Sequence, residues 1–389
     1  AITPDDTVGY NFIRQSDNQL IQQDYLSPFF EKLYEQRTRG GKKISIVHIG
    51  DSHILGDFLT MVMRKRMQDE FGNAGRGLVF PYRKAGSNGP GDYAFEGRGG
   101  WTGNDLNTVK ADIPIGVSGF SLSTSSPASA LTLKLKTDTT DIGRLSKITI
   151  FHPNTAQSFD FEIRDDEHPK AEPAMPVIDG DWMTSFYFDS PTNEVTIQPS
   201  RKNPAQKNVR IDGISIENEL SGVLYHAIGV NGARYWNYSN ARDFAREVAD
   251  LNPDLIIFSM GTNEAQSPDM TPALMKKQAA ELIAALTETC GKLPILLTTP
   301  ADSYLRGTGF NPYMGRVSEG IRDLARQNGL AFWDLYGIGG GENSAQNWRN
   351  AGLFSRDSVH YSREGYGVQG RLLFSAMMNE YNNFVSRNK

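Results

Sequence analysis

The feature that most constrains the fold of this 389-residue chain is an interruption. From Val117 to Asn218 apolar and polar residues alternate in short runs, clearest at Leu131, Leu133 and Leu135 and at Phe159, Phe161 and Ile163. A period of two belongs to half-buried antiparallel strands. With turn residues between the runs, it predicts a β-sandwich of roughly 100–140 residues. On either side the rhythm is different. Before it, Leu26, Phe29, Phe30, Leu33 and Tyr34 recur at helical spacing, "KISIVHIG" reads as a buried strand, and Leu55, Leu59, Val62, Met63 and Met67 predict one helix ending near Phe71. After it, "VLYHAIGV", "DLIIFSMG", "PILLTTP" and "AFWDL" alternate with helical stretches, the last starting near Arg363.

Strands separated by helices imply a parallel sheet covered on both faces. The expected fold is a three-layer α/β/α domain with a parallel sheet, flavodoxin-like, made discontinuously from residues 1–76 and 223–389. Residues 77–222 are the inserted antiparallel β-sandwich.

Bulk properties narrow the function. Hydrophobic residues are 39% and charged residues 22%, as in a soluble globular protein. The net charge is −5 with no dense Lys/Arg tract, which argues against a nucleic-acid partner. Cys290 is the only cysteine, so an intramolecular disulfide and a multi-cysteine metal site are excluded. No apolar run reaches the length of about eighteen residues that a membrane span needs. The start, "AITPDDTVGY", lacks the charged and apolar regions of a leader. It suits either a cytoplasmic chain or a mature one.

In an open parallel sheet, ligands bind at the carboxyl ends of strands. Those ends are rich in chemistry here. The first runs into Gly50-Asp51-Ser52-His53, the second into Gly229-Val-Asn-Gly232, the third into Gly261-Thr-Asn263-Glu264, and the fourth into Thr299-Pro-Ala-Asp302. Asp357 and His360 stand in "RDSVHYSREGY" before the last helix. Ser52 alone would read as a helix cap, Gly232 as a turn glycine, Asn263 as a turn amide and Asp357 as a loop or capping residue. Asp51 reads as a structural hydrogen-bonding residue, His48 and His226 as core histidines, and Cys290 as inert. His53 stays open: it packs beneath Ser52 or lines a pocket.

Together the strand ends resemble the SGNH (GDSL-type) hydrolase family. The carriers are Ser52 in Gly-Asp-Ser, Gly232 after the second strand, Asn263 in Gly-x-Asn, and His360 three residues after Asp357. Two positions depart from the family pattern, with His53 where Leu is usual and Glu264 where Asp is usual. "IVHIGDSH", "FGNAGRGLVFPYR", "GVNGARYW" and "DSVHYSREGY" are similar to the bacterial peptidoglycan O-acetylesterases, whose β-sandwich insertion looks like a carbohydrate-binding module.

The resemblance implies a serine esterase that removes O-acetyl groups from cell-wall glycan outside the cytoplasm, with no cofactor and no metal. Ser52 would be the nucleophile, His360 the base and Asp357 its orienting partner. The Ser52 and Gly232 N–H groups and the Asn263 amide would hold the oxyanion. His53, Trp101 and Trp348 are candidate substrate-lining residues, and Tyr235 and Trp236 further candidates for stacking on sugar. Gly337 to Gly341 is a candidate cleft wall.

Three alternatives remain at this stage. Asp51-x-His53, Gly56-Asp57, Asn263-Glu264 and His360 superficially suggest a metallophosphoesterase, but the third motif lacks the histidine such a site needs. The chain could be a wall-glycan-binding protein without activity. It could also be an esterase or acetyltransferase on another acetylated polysaccharide or a lipid. Oligomeric state is not legible.

Overall fold

The computed structural model describes residues 1–4, 9–107, 114–136 and 144–389. The main sheet has six strands. In spatial order they are Leu20–Ile21, Ala331–Trp333, Ile295–Thr298, Leu255–Ser259, Lys43–Gly50 and Gly222–Gly229. Five run parallel, with Gly50 level with both Ser259 and Gly229. The short first strand pairs antiparallel at one edge, Leu20 opposite Trp333, which makes the sheet mainly parallel.

Successive residues of each strand point to opposite faces. On Lys43–Gly50, Ile44 and Ile46 join one apolar core while Val47 and Ile49 join the other. On Leu255–Ser259, Leu255 and Ile257 go to the first core and Ile256 and Phe258 to the second. Burial on both faces is why these strands read as continuous apolar runs. Helices Ser27–Arg39, Phe58–Phe71 and Arg363–Asn388 cover one face. Phe244–Asp250, Pro272–Cys290 and Met314–Asn328 cover the other.

Polar groups inside this sheet are paired. His48 is fully enclosed, with Nδ1 at 2.7 Å from the Tyr225 hydroxyl and Nε2 at 2.6 Å from Ser259 Oγ. Burial and the nearby Arg64 charge lower its pKa to about 3. His226 accepts the Leu78 N–H at 3.0 Å and is likewise held neutral by burial. Both histidines belong to the core.

The helix expected from Leu55 to near Phe71 is broken. A single turn, Ser52–Leu55, is followed by Asp57 in the left-handed region at φ +60°, and the long helix starts at Phe58. The break lets Asp57 point inward, where it pairs with Arg64 at 2.7 Å and Arg76 at 2.8 Å. All three are buried. Removing Asp57 would leave the Arg64 guanidinium uncompensated and Arg76 with Asp92 alone, at a cost of about 3–5 kcal/mol.

Between the Phe58–Phe71 helix and Gly222 the described strands are antiparallel, in sheets of five, four and three strands. Leu131, Leu133, Phe161, Ile163, Ile148 and Ile150 alternate inward as their spacing predicts. Their core is continuous with one core of the parallel sheet: Phe120 and Leu122 belong to the same cluster as Val230 and Tyr238. A buried polar seam reinforces the junction. Arg210 pairs with Asp212 and Asp243, and Glu247 accepts the Val117 N–H at 2.8 Å.

Candidate active site

The turn after the Lys43–Gly50 strand is tight for a steric reason. A Cβ on Gly50 would lie 2.2 Å from Ile54 Cγ1, so any other residue would push the following turn off the strand end. Asp51 then caps that turn, its Oδ1 accepting the His53 N–H at 2.9 Å. Ser52 is left half-buried at the sheet edge, and among the described residues its own N–H donates to no acceptor.

The loop before the last helix reaches the same point from far along the chain. His360 Nε2 lies 2.6 Å from Ser52 Oγ, and His360 Nδ1 lies 2.5 Å from Asp357 Oδ2. Asp357 Oδ1 also accepts the N–H groups of Val359 at 3.0 Å and His360 at 2.9 Å. Partial burial would raise this carboxyl, but those hydrogen bonds outweigh it and hold its pKa down to about 2. A permanently ionised carboxylate on Nδ1 leaves the Nε2 lone pair aimed at the serine hydroxyl. Tyr361 fixes the loop, its hydroxyl donating to the Asp302 carbonyl at 2.5 Å.

Gly232 lies in a turn closed by the Ala233 N–H to the Val230 carbonyl, at φ +74°. That conformation favours glycine. A Cβ there would also sit 3.2 Å from Asn107 Oδ1, so the inserted region approaches this glycine. Among the described residues the Gly232 N–H has no acceptor. Asn263 Nδ2 donates to the Ala233 carbonyl at 3.0 Å, which sets the amide beside the Gly232 turn, and to Asp51 Oδ2 at 3.3 Å.

Two carboxyls missed by sequence reasoning, or given only a structural role, brace this side. Glu264 is fully enclosed and accepts the Tyr235 N–H at 2.8 Å. Burial raises its pKa to about 7. Burial also raises Asp51 to about 8, with the Glu264 charge adding to the effect. The residue type at 264 was visible as a departure from the family pattern. Its partner in the Gly232–Tyr235 loop was not.

The aromatic expectations need correction. Trp348 is wholly buried, its indole N–H bonded to the Gly339 carbonyl at 2.9 Å and its ring edge-on to Tyr361 at 5.1 Å. It supports the histidine loop from within and does not line a cleft. Tyr235 is equally enclosed, against Phe258. Trp101 is anchored on the inserted sheets, its indole N–H shared by the Arg98 and Ala130 carbonyls. The Gly337–Gly341 stretch receives the N-terminal segment, with the Arg14 N–H on the Ile338 carbonyl and the Arg14 guanidinium on that of Gly340. His53 lies under the site. Its ring is 5.1 Å from that of His360, and its Nδ1 is 2.8 Å from the Tyr366 hydroxyl.

An α/β fold that brings a serine, a histidine and an aspartate together at its strand ends, beside two convergent amide donors, is built for acyl transfer. In comparison with known proteins, residues 210–368 match a model of the GDSL-like lipase/acylhydrolase family. Ser52 lies before the matched segment, separated from it by the inserted strands. Among solved structures the chain is similar to a peptidoglycan O-acetylesterase, at 24% identity over 94% of this chain and 99% of that one, with a TM-score of 0.75. It also aligns with a family two carbohydrate esterase from Cellvibrio japonicus, at 11% identity over 75% of this chain and 99% of that one, with a TM-score of 0.30. No curated protein matches the chain by sequence.

Proposed function

We propose that this protein is a serine esterase that removes O-acetyl groups from bacterial cell-wall glycan, with peptidoglycan as its substrate. The observation that carries the chemistry is the unbroken relay from Ser52 Oγ through His360 to Asp357, at 2.6 and 2.5 Å. The choice of substrate is supported by the similarity in fold, over nearly the whole chain, to a peptidoglycan O-acetylesterase.

The steps follow from the geometry. His360 Nε2 takes the Ser52 proton as Oγ attacks the acetyl carbonyl. Asp357 stabilises the imidazolium that results. The carbonyl oxygen, now an anion, sits against the N–H groups of Ser52 and Gly232 and the Asn263 amide. Of the two bonds Asn263 makes at rest, the 3.3 Å one to Asp51 is the weaker, and it is the one surrendered to the oxyanion. Collapse breaks the bond to the sugar oxygen, which leaves as a hydroxyl by taking the proton from His360. Water then attacks the acetyl-serine by the same route and releases acetate.

In this reading residues 77–222 form the inserted domain and help hold the glycan chain. The site of action lies outside the cytoplasm, where the wall is. The test is acetate release from O-acetylated peptidoglycan, compared with acetylated xylan. Turnover of the wall glycan that disappears in Ser52→Ala is the expected result. Equal or better turnover of xylan would overturn the substrate assignment. Persistence of activity in Ser52→Ala, or its loss on chelation with EDTA, would overturn the serine mechanism.

A further inference from the structure

His360 is held at both ring nitrogens, by Asp357 at Nδ1 and by Ser52 at Nε2. Those two bonds and the link to Cβ all lie in the ring plane, so they leave its faces to be packed by neighbours. His53 is in place to pack one of them. Its ring centre lies 5.1 Å from that of His360, with the planes tilted 39°.

His53 is itself held. The Tyr366 hydroxyl, on the first turn of the Arg363–Asn388 helix, is 2.8 Å from His53 Nδ1. The Tyr361 main-chain N–H also faces this phenol oxygen, which leaves the phenol proton free to point at Nδ1, an arrangement that puts the His53 proton on Nε2. Tyr366 is buried and is stacked in turn on Phe58, with centroids 6.2 Å apart and planes 13° from parallel. His53 Nε2 is enclosed without a partner among the described residues. An orphaned buried donor costs about 1–3 kcal/mol. A leucine at this position would fill space without that penalty, but it could not be tethered.

We propose that His53 is a positioning residue for deacylation chemistry: an imidazole whose tautomer Tyr366 fixes, clamped against the face of His360 so that the general base keeps its aim at Ser52. The inference rests on the serine-esterase reading. It also explains why His53 must resist protonation. A cation at His53 would oppose the imidazolium that forms on His360 during each step. The groups facing His53 are His360 and Asp357 from the preceding loop, Tyr361, Tyr366 from the last helix, and Asp51, which accepts its N–H. Burial, reinforced by the His360 charge, lowers the His53 pKa to about 3.

The experiment compares Tyr366→Phe and His53→Leu with the wild type, using the full chain and p-nitrophenyl acetate across the pH range. Tyr366→Phe should lower kcat by about tenfold to a hundredfold, the scale on which small misplacements of a base are felt, with KM unchanged. Its acid limb should keep one ionisation, because burial rather than the phenol holds His53 neutral. His53→Leu should lower kcat as well and likewise keep a single ionisation, since leucine cannot titrate. Nitrogen-15 NMR of the wild type should show His53 with an unprotonated Nδ1 and a protonated Nε2. Wild-type kcat in Tyr366→Phe would overturn the proposal, and so would a wild-type His53 that carries its proton on Nδ1. If Tyr366→Phe does not fold, the NMR assignment and His53→Leu decide. Labelling of the wild type with a fluorophosphonate separates the two levels: failure to label Ser52 sinks the serine-esterase reading, whereas a labelled wild type with an indifferent Tyr366→Phe sinks only the clamp.

Discussion

The parallel sheet and the inserted antiparallel sheets bury polar groups in different ways. In the insertion, one buried hydroxyl pair bridges neighbouring strands, Thr149 with Ser185, and another closes a turn, Thr124 with Ser129, both at 2.9 Å. These pairs close on themselves and face one another within the layer. In the α/β part, His48 pairs across strands in a similar way, but the reactive groups lie at strand ends and link elements far apart in the chain. Tyr238 donates to the Gly50 carbonyl, Glu264 accepts from Tyr235, and His360 meets Ser52. A strand face satisfies itself. A strand end has lost its neighbour and must find partners elsewhere, which is why reactive groups gather there.

The sharpest break of this contrast is at the relay. Ser52→Ala and His360→Ala should each lower kcat by about 10⁴-fold or more, measured as acetate release, with the melting temperature little changed. Asn263→Ala should cost about 10²–10³-fold in kcat as one oxyanion donor is lost. Gly232→Ala should fall in the same range. Its positive φ resists a Cβ, and the turn that aims its N–H would shift against Asn107.

A core residue should behave in the opposite way. Trp348→Ala should lower stability by about 3–5 kcal/mol, read by chemical denaturation, and reduce activity only as the His360 loop loosens.

The smallest effect concerns the seam between the two regions. Burial raises Glu247 well above the carboxylate range, and raises Asp212 to about 6 despite Arg210. A raised folded-state pKa contributes stability that is present below the ordinary carboxylate range and is lost as pH rises through the folded value. Thermal stability should therefore decline as pH rises through about 6, and Glu247→Gln should flatten that slope. Asp357 has the opposite sign. Its contribution is present above the ordinary carboxylate range and fades only as pH falls through about 2. An unchanged slope in Glu247→Gln would remove the seam from the account.

Much of the architecture was readable from spacing alone. The doubly buried strands at Ile44–Ile49 and Leu255–Phe258 appear as apolar runs because both faces are covered, and the insertion appears as alternation because one face of each strand is packed. The helix break at Asp57 was not readable, since Gly56-Asp57 becomes a left-handed stop only when Arg64 and Arg76 draw the carboxylate inward. Trp348 was misread for a related reason. A tryptophan in a glycine-rich stretch has the same composition in a cleft wall as in a core, and only packing against Tyr361 distinguishes them.

By itself the sequence determined the two periodicities, the order of the layers and the reactive residue types at each strand end, because these depend on local chain geometry and on which side chains tolerate burial. The tertiary structure alone decided which of those groups meet. Ser52 and His360 are 308 positions apart. Their approach to 2.6 Å depends on every intervening element packing, and so does the His53–Tyr366 clamp beneath them. No local rule reports contacts of that range, because they are set by the summed burial of both cores.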